Sequence, residues 1–282
     1  MGTTEVELDE NTKLYRFISL EDFLSLLFLK KDSFKKPYEW EDTYEGALFK
    51  LIKNDKVNGA LIQKLEEKSS KKFEQVVTAY ERIILSAKLC YAKCWSLCEE
   101  SDAMWRIYSY DKKAIRISTT IKHIKQILEE SRTKYSTKIC KVSYKMTADN
   151  VESIILPISN CDSSIAPYFY KRDAFEHEQE VRIVIFSQNE WIKKLRAMDN
   201  IICEQNNYEG KLNKIRNDWL KFDKGENRLS IDIEPKRYIQ SVLVHPQSVG
   251  WYSELIKKIC EEYEISYEGK SKIYDFDIDN FN

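Results

Sequence analysis

Four charged residues at alternate positions, Glu176, Glu178, Glu180 and Arg182, lie within FEHEQEVRIVIF, Phe175 to Phe186. Val181, Ile183, Val184, Ile185 and Phe186 give this segment the β-branched and aromatic content of a strand. Alternate side chains of a strand share a face, with neighbours roughly 6.5–7 Å apart. Three carboxylates and a guanidinium would therefore stand in one row. Such a row can polarise a substrate, hold a cation or balance a basic partner. The plainer alternative is an exposed strand face cross-paired with Lys or Arg from a neighbour.

Other residues with chemical potential fit fewer patterns. Cys90, Cys94 and Cys98 are spaced by four, but no second pair of ligands accompanies them, and His123, His177 and His245 complete no zinc signature. They read as small buried hydrophobes, and no resident metal is expected. Asp42 and Glu45, together with Glu178 and Glu180, could hold a magnesium ion, which wants carboxylate oxygens. A metal-dependent nuclease of the common kind has a lysine two residues after its acid. Here Glu178 is followed at that spacing by Glu180, and Glu180 by Arg182.

The chain that must position these groups has 282 residues, 43% hydrophobic and 32% charged. That is enough apolar material for a core under a charged surface. With 45 Lys+Arg against 46 Asp+Glu, the overall balance does not mark a nucleic-acid binder. Neither GxGxxG nor GxxxxGK[ST] occurs. The start, MGTTEVELDENTK, has no apolar h-region, and Glu5-Val6 occupies the place where a myristoylation signal wants Ser or Thr. No run approaches 18 apolar residues, so no membrane partner is expected. Seven cysteines without tight pairing suggest reduced thiols and a cytoplasmic location.

The pattern predicts a strand from Leu14 to Ile18, then a helix capped by Ser19 with Asp22 in the capping-box place. FKKPYEWEDTYEG reads as a loop. Helical spacing follows over about 45–89. Strands are expected over Tyr91–Leu97, Lys113–Thr120, Thr137–Lys145 and Phe175–Phe186, with a helix over Ile121–Glu130. Residues 151–170 read as loop and 191–219 as helix. LSIDIEP and IQSVLVHP give two further strands before the helix WYSELIKKICEEY and a last strand. The fold class is α+β with mostly antiparallel strands and flanking helices, in a single domain, 1–282, with a helical insertion at about 45–89.

In order, the chain carries LYRF, FKKPYEWEDTYE, CWSLCEESDAMWRIYS, KVSYK and KRDAFEHEQEVRI. These resemble the YR, F-x-DP-x-E, C-[FW]-S…MW..Y, V-x-Y and E-x-E-x-R blocks of a widespread bacterial family of unknown function, over roughly residues 14 to 250. Glu41-Asp42-Thr43 stands where DP is usual. The order Arg16, Ser96, Glu178-Gln179-Glu180 is also similar to that of ADP-ribosyltransferases of the Arg-Ser-Glu type, although Cys94-Trp95-Ser96 replaces their usual S-T-S. This second resemblance implies two packed antiparallel sheets and NAD as the substrate. It implies that Glu180 stabilises the oxocarbenium-like centre and that Glu178 orients or deprotonates an acceptor. Ser96 would hold Glu180 or the ribose, and Arg16 would clamp a phosphate. Trp105, Tyr108 or Tyr170 would stack on nicotinamide, with Arg182, Asp42 and Glu45 in support. Partners would then be NAD, a macromolecular acceptor (protein or nucleic acid) and a regulatory partner, as in a toxin or antiphage effector. A non-catalytic module using the acidic strand against a basic partner is the remaining alternative.

Overall fold

The computed structural model of the chain describes residues 8–40, 42, 44–45, 54–68, 80, 86, 89–130, 136–145, 165–186, 193, 210, 212–214, 216–217 and 228–275. It opens with β1 (Lys13–Ile18), α1 (Leu20–Leu29) and β2 (Lys31–Lys35). The Ser19 hydroxyl accepts from the Asp22 N–H at 3.1 Å and starts α1 as its sequence predicts. Lys30 ends that helix with φ 51, so the chain turns directly into β2. Then come α2 (Asp55–Lys68), β3 (Cys90–Ser96), α3 (Asp102–Tyr108), β4 (Ile115–Thr120), α4 (Ile121–Glu130) and β5 (Ser136–Lys141). The order ends with β6 (Glu180–Phe186), β7 (Arg228–Asp232), α5 (Pro235–Tyr238), β8 (Ser241–Val244), α6 (Gly250–Glu262) and β9 (Ser266–Lys270).

The strands form one hydrogen-bonded sheet that forks, where two packed sheets were expected. Its trunk is β5–β6–β3. Beyond β3, one branch continues β1–β4–β8–β9 and the other β2–β7. Among the described residues, every pairing between these strands is antiparallel except β8–β9. β3 meets β1 at Tyr15↔Ser96 and β2 at Lys35↔Ala92. Around Cys94 the two branches part.

Pleating sends alternate residues to opposite faces. Leu14, Ile18, Trp95, Ile117, Val181, Ile183 and Ile185 face the main core, against apolar residues of α1, α4 and α6. The other face of β3 and β6 carries Ser96, Cys94, Glu180 and Arg182, then a second apolar cluster of Cys90, Ala92, Val184 and Phe186 with Tyr168 and Phe169. All seven residues of β6 are buried, so no exposed strand face exists there.

Two expectations change. The strand begins only at Glu180. Asp173–Glu178 is a 3-10 turn, and Gln179 takes the left-handed conformation, φ 44, that reverses the chain into β6. Glu176 and Glu178 therefore do not share a strand face with Glu180. Second, β2 begins before the FKKPYEWEDTYEG loop and takes in Phe34 and Lys35 from it. The rest of the expected helical stretches at 45–89 and 191–219, beyond α2 and isolated residues, lies outside the described residues, as do residues 151–164 of the expected loop. No described helix is long and apolar enough to cross a membrane.

Candidate functional site

Glu178 ends the 3-10 turn and Glu180 opens β6, and Ser96 ties them together. Its hydroxyl donates to the Glu178 carbonyl at 2.6 Å and accepts from the Cys98 N–H at 2.9 Å. The Leu97 N–H donates to the Gln179 carbonyl at 2.9 Å, and the Glu180 N–H donates to the Tyr144 hydroxyl at 2.6 Å. The turn is thus held on three sides. Both carboxylates come to one place although they do not share a strand face.

A lysine and an arginine divide these carboxylates between them. Lys171 Nζ lies 2.7 Å from Glu178 Oε2 and 3.2 Å from Glu180 Oε1, and 3.7 Å from Glu45. Arg182 donates to Glu180 Oε2 through Nε and Nη2, at 2.8 and 2.6 Å, to the Tyr168 carbonyl at 2.8 Å, and to Glu45. Its guanidinium lies over the Trp40 ring, 4.6 Å from the centroid. Three carboxylates face two cations, and all five side chains are 10% exposed or less. With every acid ionised the cluster would carry one net negative charge, so it favours holding one proton.

That proton belongs on Glu178. Burial and the hydrogen bond with Glu180 push its pKa up to about 7, against the pull of Lys171. Burial also acts on Glu180, but Arg182, the Glu178 carboxyl and Lys171 outweigh it and hold the pKa down to about 2. Burial raises Glu45 as well. The pair titrates as a unit, one member kept neutral and the other ionised.

The linkage to folding has opposite signs on the two sides. Both glutamates would titrate near 4.5 in the unfolded chain. The lowered pKa of Glu180 gives stability that is complete above 4.5 and lost as pH falls toward 2. The raised pKa of Glu178 gives stability present below 4.5 and lost as pH rises through 7. Thermal melting followed against pH should show the pair's largest contribution near 4.5. Glu178→Gln should flatten the decline from 4.5 to 7 and leave the acid-side decline in place. An unchanged slope above 4.5 would refute this assignment of the proton.

Ser96, Glu178 and Glu180 line a cleft of about 340 Å³ at the fork. Trp40, Met104 and Tyr108 line it too, as do Lys31, Ser33 and Lys35 of β2. Tyr108 is half-exposed and stacks on Phe17, with centroids 6.1 Å apart. Arg16 also lines the cleft, but from behind. The register Tyr15↔Ser96↔Glu180 puts Tyr15 with the acids and sends Arg16 to the opposite face. There Arg16 bonds Asp32 at 2.7 Å and stacks on Trp95 at 4.7 Å. Lys93 bonds the second oxygen of Asp32 at 2.9 Å, and the Tyr238 hydroxyl donates to Asp32 at 2.6 Å. Burial would raise the Asp32 pKa, but Arg16 and Lys93 hold it well below the usual carboxylate range. This network braces β1, β2, β3 and α5 behind the fork.

The structure gathers some of the expected site residues and not others. Arg16 lines the same cleft as Ser96 and Glu180, from the other face of the sheet, because one residue of register separates them. Trp105 is fully buried against Phe17 and His245, donates its indole N–H to Glu100, and is not among the cleft's lining. Tyr170 bridges to Ser143 and is likewise absent from the lining. Asp42 pairs with Arg172 at 2.7 Å rather than with Glu178 or Glu180. Glu45 does join the cluster. Among the described residues, no three His, Cys, Asp or Glu side chains are grouped to hold a metal ion, and the cysteines among them form no disulfide. Lys171, Trp40, Asp32 and Lys93 were not foreseen. Lys171 and Trp40 left a trace in the sequence, the first as the opening residue of the KRDAFEHEQEVRI block and the second within FKKPYEWEDTYE.

Neither the curated proteins nor the solved structures contain a match to the chain. Residues 104–183 run from α3 into β6 and contain Tyr108, Lys171, Glu178, Glu180 and Arg182. Over that stretch the chain matches the model of the family described as protein of unknown function (DUF2971).

Proposed function

We propose that the chain cleaves the nicotinamide–ribose bond of NAD and passes ADP-ribose to water or to a macromolecular acceptor. One observation carries this reading. A single cleft places an ionised and a protonatable carboxylate, Glu180 and Glu178, within reach of the lysines Lys31 and Lys35 of β2. The bond to nicotinamide breaks with its electron pair, and a neutral pyridine leaves without needing a proton. The positive charge that develops on the ribose is stabilised by a carboxylate that is already ionised, and Glu180 is such a group. The attacking oxygen must lose a proton as it bonds to the sugar. Glu178, with its pKa pushed up to about 7, is ionised in part of the molecules near neutral pH and in that form accepts it.

In this reading Lys31 and Lys35, on the same face as Ser96, supply the charge for the pyrophosphate. Arg16 contributes only from behind, and Tyr108 and Trp40 offer the ring surfaces. The two branches of the fork take the part of the two sheets that such transferases have. Incubation of the purified protein with NAD and a chelator should release nicotinamide, with or without label passing to an added protein or nucleic acid. Cleavage of DNA or RNA that requires a divalent metal and spares NAD would overturn the reading.

A further inference from the structure

We propose that Lys171 is a positioning residue of this site: its ammonium spans Glu178 and Glu180 and sets how readily Glu178 gives and takes the proton that the pair shares. The inference rests on the NAD reading only for its kinetic arm. Glu180 has other cationic donors, both from Arg182. Glu178 has Lys171 as its cationic partner, at 2.7 Å. The ammonium is itself held in place. Its backbone N–H donates to the Ser143 carbonyl at 3.0 Å, and Nζ sits 4.4 Å from the centroid of the Phe175 ring. Ordering and burying a lysine costs rotamer freedom as well as hydration. Simple neutralisation does not require the ammonium to contact both carboxylates that flank the Gln179 turn.

The other groups facing Glu178 do not substitute for it. Glu180 and Glu45 are acids, and Tyr108 and Tyr144 have pKa values raised by burial and stay neutral. Arg182 is committed to Glu180 and Glu45. Loss of Lys171 therefore leaves Glu178 with no cation of its own, while Glu180 keeps Arg182. Glu178 should then hold its proton more tightly, and Glu180 should stay ionised.

The experiment titrates the carboxyl carbons of ¹³C-glutamate-labelled protein by NMR in the wild type, Lys171→Met and Lys171→Arg, with Glu178→Gln assigning the signal. The Glu178 midpoint should rise by about one unit or more in Lys171→Met and stay close to the wild-type value in Lys171→Arg. Nicotinamide release by Lys171→Met should fall about fivefold at pH 7 for a one-unit rise and recover at higher pH. A purely structural role would instead lower the rate equally at every pH. The wild type supplies a readout that needs no variant, since the ¹⁵N signal of the Lys171 ammonium should follow the same midpoint as Glu178. If that signal ignores the Glu178 titration, or if the midpoint is the same in Lys171→Met, Lys171 does not set the hold of Glu178 on its proton. Intact coupling in a protein that leaves NAD untouched would overturn the proposed reaction and leave the role of Lys171 standing.

Discussion

Glu180→Gln should lower nicotinamide release by about 10²–10³ in kcat with little change in KM. This is the scale of losing one preorganised electrostatic group at a charge that appears only in the transition state. The substitution also bears on folding. An exposed or cleft-lining Glu→Gln change would move stability by only about 0.5 kcal/mol, which is what the sequence predicts for Glu180. In the structure Glu180 is 6% exposed and its second oxygen takes two bonds from the fully buried Arg182. A glutamine there offers one acceptor oxygen and sets an N–H group against cations that only donate. The cost should approach the ~3–5 kcal/mol of breaking a buried pair, eased by Glu45 and the Tyr168 carbonyl, which keep their hold on Arg182. Rates must therefore be read well below the variant's melting midpoint, with NAD binding as a second measure of integrity. A folded Glu180→Gln protein with wild-type turnover would remove Glu180 from the role of catalytic carboxylate.

Asp32→Asn should cost about 3 kcal/mol or more, since it strands two cations behind the fork. Arg16 and Lys93 lie 2.7 and 2.9 Å from the two Asp32 oxygens, and the Arg16, Lys93 and Asp32 side chains are 10%, 23% and 3% exposed. Asparagine cannot neutralise either. Denaturant midpoints should fall, and the variant should lose the acid sensitivity that the depressed Asp32 pKa gives the wild type below its ordinary value of 3.8. The double variant Arg16→Met with Asp32→Asn should recover part of the loss, because it removes one of the uncompensated charges. No loss in Asp32→Asn would show that solvent already screens the brace. That result would place Arg16 nearer to open cleft than its contacts indicate.

The helices and most strands were legible because their signals are local. Ser19 caps α1 through one hydroxyl, and the spacing of Ile121, Ile124, Ile127 and Leu128 writes α4 with the bounds observed. β2 was half hidden, because KDSFK offers two apolar-facing positions in five and one of them is an aspartate. The acidic segment was read as strand throughout because nothing local announces that Gln179 will adopt a positive φ. The candidate site was legible as a set of residue types but not as an arrangement. Glu178, Glu180, Ser96 and Glu45 do meet. Their exposure was misjudged because the cations that allow burial are supplied from elsewhere. Lys171 arrives through an irregular segment, and Arg182, expected in support of the acids, is buried together with them. The side of the sheet reached by Arg16 depends on a single register step between β1 and β3, and pairing partners are not written in either strand alone.

The brace also sets a schedule for synthesis. Asp32 and its hydroxyl donor Tyr238 are 206 residues apart, and Lys31 of β2 pairs with Asp232 of β7. At about 5–20 residues per second of translation, roughly 10–40 s pass between their emergence. Throughout that interval β2 lacks β7, its one strand neighbour outside the trunk among the described residues. The nascent chain thus carries an incomplete strand edge and a partly solvated aspartate until β7 and α5 have been made, so the branch behind the cleft closes only after residues 228–238 have emerged.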